Sequence, residues 1–246
     1  MQSTRRFPNL LRAIAFDLWF VMLTIALGVI GLFVRGFARH RSADLARLWI
    51  RLTLAGLRTI AGISWVVEGR ENLEAHRGRP VLIASQHRSA FDTLVWFLIL
   101  DHPAYVMKQE LRKIPLVGPL LEPAGMIPVD RSAGAAALRG LLAAAEAAVA
   151  TGHSPIIFPE GTRVPAGHVA KLQPGVAALA AHLAIPVLPV ATDSGRHWGL
   201  GWFDKRPGTI HIAIGPALPG DLRRRPLLDA IETAWQSGQT RLEPGA

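Results

Sequence analysis

The sequence predicts an α/β fold: a mixed, largely parallel sheet flanked by helices, with an N-terminal membrane-associated helical hairpin. Two observations carry this. Beyond residue 63, short apolar runs of strand length alternate with stretches of helical periodicity, the pattern of a sheet with helices on both faces. Before it, a long uncharged run is followed by a basic amphipathic one, with little loop between them. The chain accordingly divides into a membrane anchor and amphipathic helix, 1–62, and a globular domain, 63–246.

Residues 18–34 carry no charge, and the run is near the lower limit for crossing a bilayer. Basic residues follow at once (Arg35, Arg39, Arg41) and leave a poor cleavage site, which favours a retained anchor over a signal peptide. Arg5, Arg6 and Arg12 precede the run and the longer basic set follows it, which places the C-terminal body on the cytoplasmic side. A monotopic helix with both ends cytoplasmic fits the short length equally well. Residues 43–62 have Leu45, Leu48, Leu52 and Ala55 at helical spacing, with Arg47, Arg51 and Arg58 on another face and Trp49 available for the headgroup region. An ordinary helix on the domain core has the same pattern.

The first strand is expected over 64–68 and the second over 81–85, leading into His87. A helix is expected over 93–100 and a third strand over 104–107. A break follows at 114–118, then a strand or extended loop at 125–131. The alanine-rich stretch 135–150 reads as a helix closed by Gly152. A buried strand over 154–158, a helix over 175–183, strands over 187–192 and 209–214, and a closing helix over 227–241 complete the chain. No repeat or low-complexity linker interrupts it.

Of the 246 residues, half are hydrophobic, and Lys+Arg number 27 against 18 Asp+Glu, a net charge of +9. Such a charge favours anionic partners, and the basic residues cluster beside apolar segments with no nucleic-acid motif. The chain has no cysteine, which excludes disulfides, thiolate metal sites and a cysteine nucleophile. His153, His168, His182, His197 and His211 show no metal-ligand spacing. Trp198, Trp202, Phe203, Lys205 and Arg206 form an aromatic–basic patch that suits lipid headgroups and, equally, a plain surface loop.

His87 stands where the second strand gives way to a helix, a place where side chains face the cleft at the end of a sheet. Asp92 follows five residues later. On one continuous helix five residues turn about 500° and leave the two side chains about 140° apart. They meet only if His87 sits in the turn and Asp92 starts the helix. The carboxylate then accepts a proton from one imidazole nitrogen and leaves the other free as a base. The bland alternative is a helix N-cap beside a surface histidine. Residues 158–163, Phe-Pro-Glu-Gly-Thr-Arg, follow an apolar strand. Gly161 permits close backbone approach, and Arg163 offers a planar donor fork suited to phosphate. A structural turn with a Glu–Arg ion pair is the competing reading.

Four blocks stand in one order: Gln86-His87-x4-Asp92, residues 125–131 (Gly-Met-Ile-Pro-Val-Asp-Arg), residues 158–163, and residues 185–190 (Ile-Pro-Val-Leu-Pro-Val). With the Lys108-x-Glu110-Leu111 stretch, they resemble the glycerolipid acyltransferase family, bacterial 1-acyl-sn-glycerol-3-phosphate acyltransferases above all. The resemblance covers about 65–216. Two positions depart from the usual pattern: Gln86, where Asn commonly precedes the histidine, and Val164, where Ser commonly follows the arginine.

The resemblance implies transfer of an acyl chain from acyl-CoA or acyl-carrier protein to the hydroxyl of a lysophospholipid, with no further cofactor. It implies His87 as base and Asp92 as its partner. Glu160, Gly161, Thr162 and Arg163 become the acceptor-binding block, with Arg163 on the phosphate and Arg131 as a second phosphate ligand. Lys108 is a further candidate, for the phosphate or the acyl donor. The implied partners are a membrane lipid acceptor, the acyl donor and an anionic membrane surface, at a bacterial inner membrane with the catalytic domain cytoplasmic. Lysophosphatidic acid is the expected acceptor. Another lyso-lipid such as lyso-ornithine lipid is the alternative, and a non-catalytic basic membrane-binding module is the reading from a different class. No Gly-x-Ser-x-Gly elbow advertises a serine nucleophile.

Overall fold

The computed structural model describes residues 6–38, 41–122, 124–130 and 133–242. Helix α1 (Arg6–Phe37) and helix α2 (Ser42–Thr59) come first. There follow β1 (Ile63–Glu68), α3 (Arg70–Glu74), β2 (Leu82–Ser85), α4 (Trp96–Ile99), β3 (Pro103–Lys108), α5 (Gly118–Leu121) and β4 (Ile127–Val129). The second half holds α6 (Gly134–Ala150), β5 (Ser154–Ile157), α7 (Gly175–Leu183), β6 (Val187–Thr192), α8 (Ser194–His197), β7 (Gly208–Ile214) and α9 (Arg224–Leu242).

The strands make a 7-stranded sheet in the order β1-β7-β6-β2-β5-β3-β4. Among the described strand pairs of this sheet, only β6–β7 is antiparallel. The expected mixed, largely parallel sheet is present. Successive side chains of a strand point to opposite faces, and the two faces bury different sets. Ile83, Tyr105, Ile156 and Leu188 pack under α1, α2 and α4. Leu82, Ala84, Ala104 and Ile157 pack under α6, α7 and α9. Central strands β2 and β5 are buried throughout, as strands covered on both faces must be.

The hairpin is part of this body. Phe16 of α1 and Ile50, Leu54 and Leu57 of α2 lie in one core with Ile83 and Ile210. Residues 1–62 and 63–246 thus share a core. Helix α1 is longer than the uncharged run and includes Asp17, whose carboxylate pairs with Lys205. Its buried side, Ala13, Phe16 and Gly28, faces the body, and Leu18, Met22, Ile25, Val29 and Phe33 are exposed on the other.

Helix α2 differs from its expected orientation. Ile50, Thr53, Leu54 and Leu57 are its buried positions, while Leu48 is exposed. Trp49, expected among headgroups, turns inward. Its ring lies 5.7 Å from Phe20, and its indole N–H donates to Thr24 Oγ1 at 3.1 Å.

The single helix expected over 93–100 is broken in two. Phe91–Thr93 is one 3₁₀ turn and Trp96–Ile99 a separate turn of helix. Thr93 and Val95 are β-branched, which weakens helix here. The Trp96 N–H donates to the Tyr105 hydroxyl at 3.2 Å instead of to a carbonyl of the preceding turn.

Candidate active site

Strand register assembles the site. β2 and β5 run parallel with Ala84 opposite Ile157, so His87 and Glu160, each three residues further on, emerge side by side. β3 is parallel to β5, and Lys108 is its last residue. All three leave the sheet at its carboxyl edge, where α/β sheets bind ligands. The second expected block contains β4, whose Val129 pairs with Lys108. Arg131 itself lies outside the described residues.

His87 sits in the turn and Asp92 in the 3₁₀ turn that follows, the only arrangement that lets the pair meet. Asp92 is buried, and its Oδ2 accepts the backbone N–H groups of Arg88 at 2.6 Å and Ser89 at 2.8 Å. The same oxygen stands 3.5 Å from His87 Nδ1. That separation is longer than a hydrogen bond, and Nδ1 is buried without another partner. Catalytic hydrogen bonds are often long in the unliganded state and tighten with substrate. The imidazole is held from its flat side as well: the Phe158 ring stacks on it, centroids 4.2 Å apart and planes 20° from parallel.

Glu160 faces inward and is absent from the lining of the cavity beside His87. It is 4% exposed. Its Oε2 accepts the backbone N–H of His87 at 2.6 Å, and its Oε1 lies 3.5 Å from the Arg88 guanidinium. The ion pair considered for this block therefore exists, but with Arg88 and not Arg163. Burial pushes the Glu160 carboxyl up to about 7, the nearby Arg88 charge opposing that rise. Arg88 is itself buried and donates through Nη1 to the carbonyls of His168 at 2.7 Å and Pro165 at 3.3 Å. Tyr105 lies deep in the same region, and burial raises its phenol well above the ordinary value.

Gly161 has φ +73°, the left-handed region, so glycine is the residue that turns this segment without strain. Thr162 and Arg163 follow on the exposed side. The two departures from the expected pattern have structural work here. Gln86 is buried, and its Oε1 accepts the Thr192 N–H at 3.1 Å, tying the ends of β2 and β6. Val164 is buried and its N–H donates to the His87 carbonyl at 2.8 Å.

A cavity of about 500 Å³ runs from His87 into the space between the α1–α2 hairpin and the sheet. Gly161, Thr162, Arg163 and Lys108 border it together with His87. Its other walls are mostly apolar, among them Leu27, Ala46, Leu94, Phe97, Leu120 and Met126. The structure therefore brings five of the expected site residues to one cavity and sets Asp92 and Glu160 behind them. Phe158 and Arg88 were missed as functional residues. Both stand inside quoted motifs, but nothing in their spacing marks a ring stack or an internal arginine.

A histidine backed by a buried carboxylate, opening on a long apolar cavity with cations at its border, is the equipment of an enzyme that moves an apolar acyl group. Residues 64–193 match the Acyltransferase family, and the chain belongs to it. The 1-acyl-sn-glycerol-3-phosphate acyltransferase of Pseudomonas aeruginosa is 35% identical over 180 residues, 73% of this chain and 69% of that one. The enzyme of that name from Limnanthes douglasii is 31% identical over 164 residues, 66% of this chain and 57% of its own. The crystal structure of the 1-acyl-sn-glycerophosphate (LPA) acyltransferase from Thermotoga maritima superposes with a TM-score of 0.77 over 97% of this chain and 99% of that one, at 24% identity, a likeness of fold. The protein is an acyltransferase of the glycerolipid family.

Proposed function

We propose that the protein transfers a fatty acyl chain from acyl-CoA or acyl-carrier protein to the sn-2 hydroxyl of 1-acyl-sn-glycerol-3-phosphate, giving phosphatidic acid. One observation carries the reading: His87 and two cationic side chains, Arg163 and Lys108, border one largely apolar cavity of about 500 Å³. The cavity suits an acyl chain and the cations suit a phosphate monoester. The names of the relatives support the same acceptor.

With Nδ1 turned to Asp92, Nε2 is the base. It takes the proton from the acceptor hydroxyl as the hydroxyl oxygen attacks the thioester carbonyl carbon. The tetrahedral intermediate collapses, the C–S bond breaks, and the imidazolium returns its proton to the departing thiolate. Asp92 stabilises the imidazolium between the two transfers. No nucleophilic side chain and no metal is required by this scheme.

Helix α1 supports a monotopic attachment. The 26 residues Asn9–Val34 are long and apolar enough to cross a bilayer. Yet the helix is docked along the body from Ala13 and Phe16 to Gly31, whose backbone faces Leu120. In this reading only its outward stripe meets lipid, at the cytoplasmic face of a bacterial inner membrane.

The test is thiol release from acyl-CoA and from acyl-carrier protein by purified protein, against a panel of lyso-lipids. Lysophosphatidic acid is expected to be the best acceptor. Arg163→Ala is expected to weaken its use far more than that of an acceptor without a phosphate monoester, and Arg163→Lys to fall between, since lysine keeps the charge and loses the fork. Better use of lyso-ornithine lipid, or an equal loss on both acceptors, overturns the phosphate assignment.

A further inference from the structure

We infer that the tip of the loop joining α8 to β7, formed by Leu200, Trp202 and Phe203, enters the membrane interface beside the active-site mouth. The inference rests on the lipid-facing reading of α1. β6 runs parallel to β2, so the chain leaving β6 through α8 into this loop stands at the same carboxyl edge as His87. Gly195 of α8 packs against Arg88, a carbon placed on it standing 3.1 Å from Arg88 Cβ.

The loop is closed and rigid at its base. Trp198 and Lys205 form an antiparallel bridge, the Gly199 N–H donates to the Asp204 carbonyl at 2.8 Å, and the Arg206 N–H to the His197 carbonyl at 2.8 Å. That base is fixed to α1. Asp17 accepts the Phe203 N–H at 2.8 Å and pairs with the buried Lys205, whose ammonium also lies 5.7 Å from the Phe16 ring and 5.5 Å from Trp198. Asp17 immediately precedes Leu18, the start of the exposed apolar stripe of α1.

The Asp17 bond thereby sets the tip at the end of α1 where that stripe begins. Leu200 is 42% exposed, Trp202 66% and Phe203 48%. Phe203 has φ +61°, an unusual backbone for an aromatic residue, and it holds the ring outward. Exposed arginines flank the base: Arg206, paired with Asp204, and Arg12, whose guanidinium lies against Gly62 where that residue bonds Gly208. Apolar and tryptophan side chains at a tip with arginines at its base match the depth order of a bilayer surface, acyl boundary first and phosphates above. The occupant is a lipid bilayer with anionic headgroups.

The chain has no cysteine, so single labels can be placed without background. An environment-sensitive fluorophore is attached to full-length Trp202→Cys, to Leu18→Cys on α1 and to Ser237→Cys on the exposed side of α9. Each protein is reconstituted into vesicles of phosphatidylethanolamine and phosphatidylglycerol containing shallow doxyl-labelled lipid. The label at 202 is expected to be quenched as that at 18 is, with none at 237. Quenching at 18 but not at 202 overturns the inference and leaves the α1 reading standing. Absence of quenching at both overturns the two together. A second measurement uses Trp202→Ser and Leu200→Ser. Turnover on acceptor presented in vesicles is expected to fall severalfold while turnover on acceptor in detergent micelles is kept, which also reports that the variants fold. Equal turnover in vesicles overturns the inference.

Discussion

The Glu160 carboxylate accepts the backbone N–H of His87 at 2.6 Å, across 73 positions of sequence. The bond fixes the peptide that carries His87, and it gives Glu160 a way to act on the reaction by positioning that residue. Its carboxyl titrates at about 7 because burial disfavours the ion. Folded protein therefore holds this proton more tightly than unfolded chain. The group's contribution to stability is full below its ordinary value of about 4.5 and is lost as pH rises to about 7. The loss is on the order of 3 kcal/mol.

Activity runs the other way. The ion is the form that pairs with Arg88 and binds the His87 N–H most strongly. Wild-type kcat is expected to gain a component that rises through about pH 7. In Glu160→Gln that component and the matching decline of Tm between about 4.5 and about 7 should both vanish. Unchanged pH profiles of kcat and Tm in the variant would refute this role.

His87→Ala is expected to lower kcat by about 10² to 10⁴, the range of general-base catalysis, while the protein stays folded. Asp92→Asn should lose most activity too, but it differs in a way the geometry dictates. Asp92 Oδ2 also accepts two backbone N–H groups, from Arg88 and Ser89. Removing the charge weakens bonds worth about 1.5–3 kcal/mol each, so this variant should melt earlier. Thermal unfolding and steady-state turnover on both proteins check the contrast. A stable, fully active Asp92→Asn would remove the carboxylate from the mechanism.

Much of the candidate site's layout was legible because its residues lie in short blocks at strand ends. The strands over 187–192 and the helix over 175–183 appear with the expected bounds, since both are apolar runs with clear breakers beside them. The order of strands was not legible, and it is the order that sets Glu160 beside His87. The inward turn of Glu160 was hidden for the same reason, because its true partner Arg88 comes from another strand end. The break in the helix expected over 93–100 has a local cause in Thr93 and Val95, but the hydroxyl from β3 that takes the Trp96 N–H is a contact no local pattern encodes. The orientation of α2 was misread because both of its sides are apolar, one against the sheet and one against α1.

Acyl-chain length should be set by the cavity between the hairpin and the sheet. Ala46 lines it from α2 and is small. Ala46→Phe is expected to fill part of the volume and shift preference towards shorter acyl donors, with kcat/KM for long donors falling by about tenfold or more for a loss of about 1.4 kcal/mol. A series of acyl-CoA chain lengths measures this. An unaltered chain-length profile would place the acyl group elsewhere.

Arg88 is the other internal support of the site. Its guanidinium stands 3.5 Å from Glu160 and holds the carbonyls of Pro165 and His168, so it joins the turn of His87 to the loop that follows Arg163. Removing one partner of a buried pair costs about 3–5 kcal/mol, because the other charge is left alone. Arg88→Met should therefore be strongly destabilised, and Glu160→Gln less so, since the neutral amide still accepts the His87 N–H. Above about pH 7, where Glu160 is ionised beside Arg88, the double variant Arg88→Met with Glu160→Gln should recover part of the loss, because no buried carboxyl is left to be neutralised or stranded. The coupling between the two positions is expected to be about 0.5–3 kcal/mol in a double-mutant cycle read by denaturant unfolding. Activity should not recover with stability. The double variant still lacks the guanidinium that holds residues 165–168, so KM for the acceptor should stay high where the fold is restored. Strictly additive stabilities would show that Arg88 and Glu160 act separately. A normal KM in the double variant would show that the loop needs no hold from Arg88.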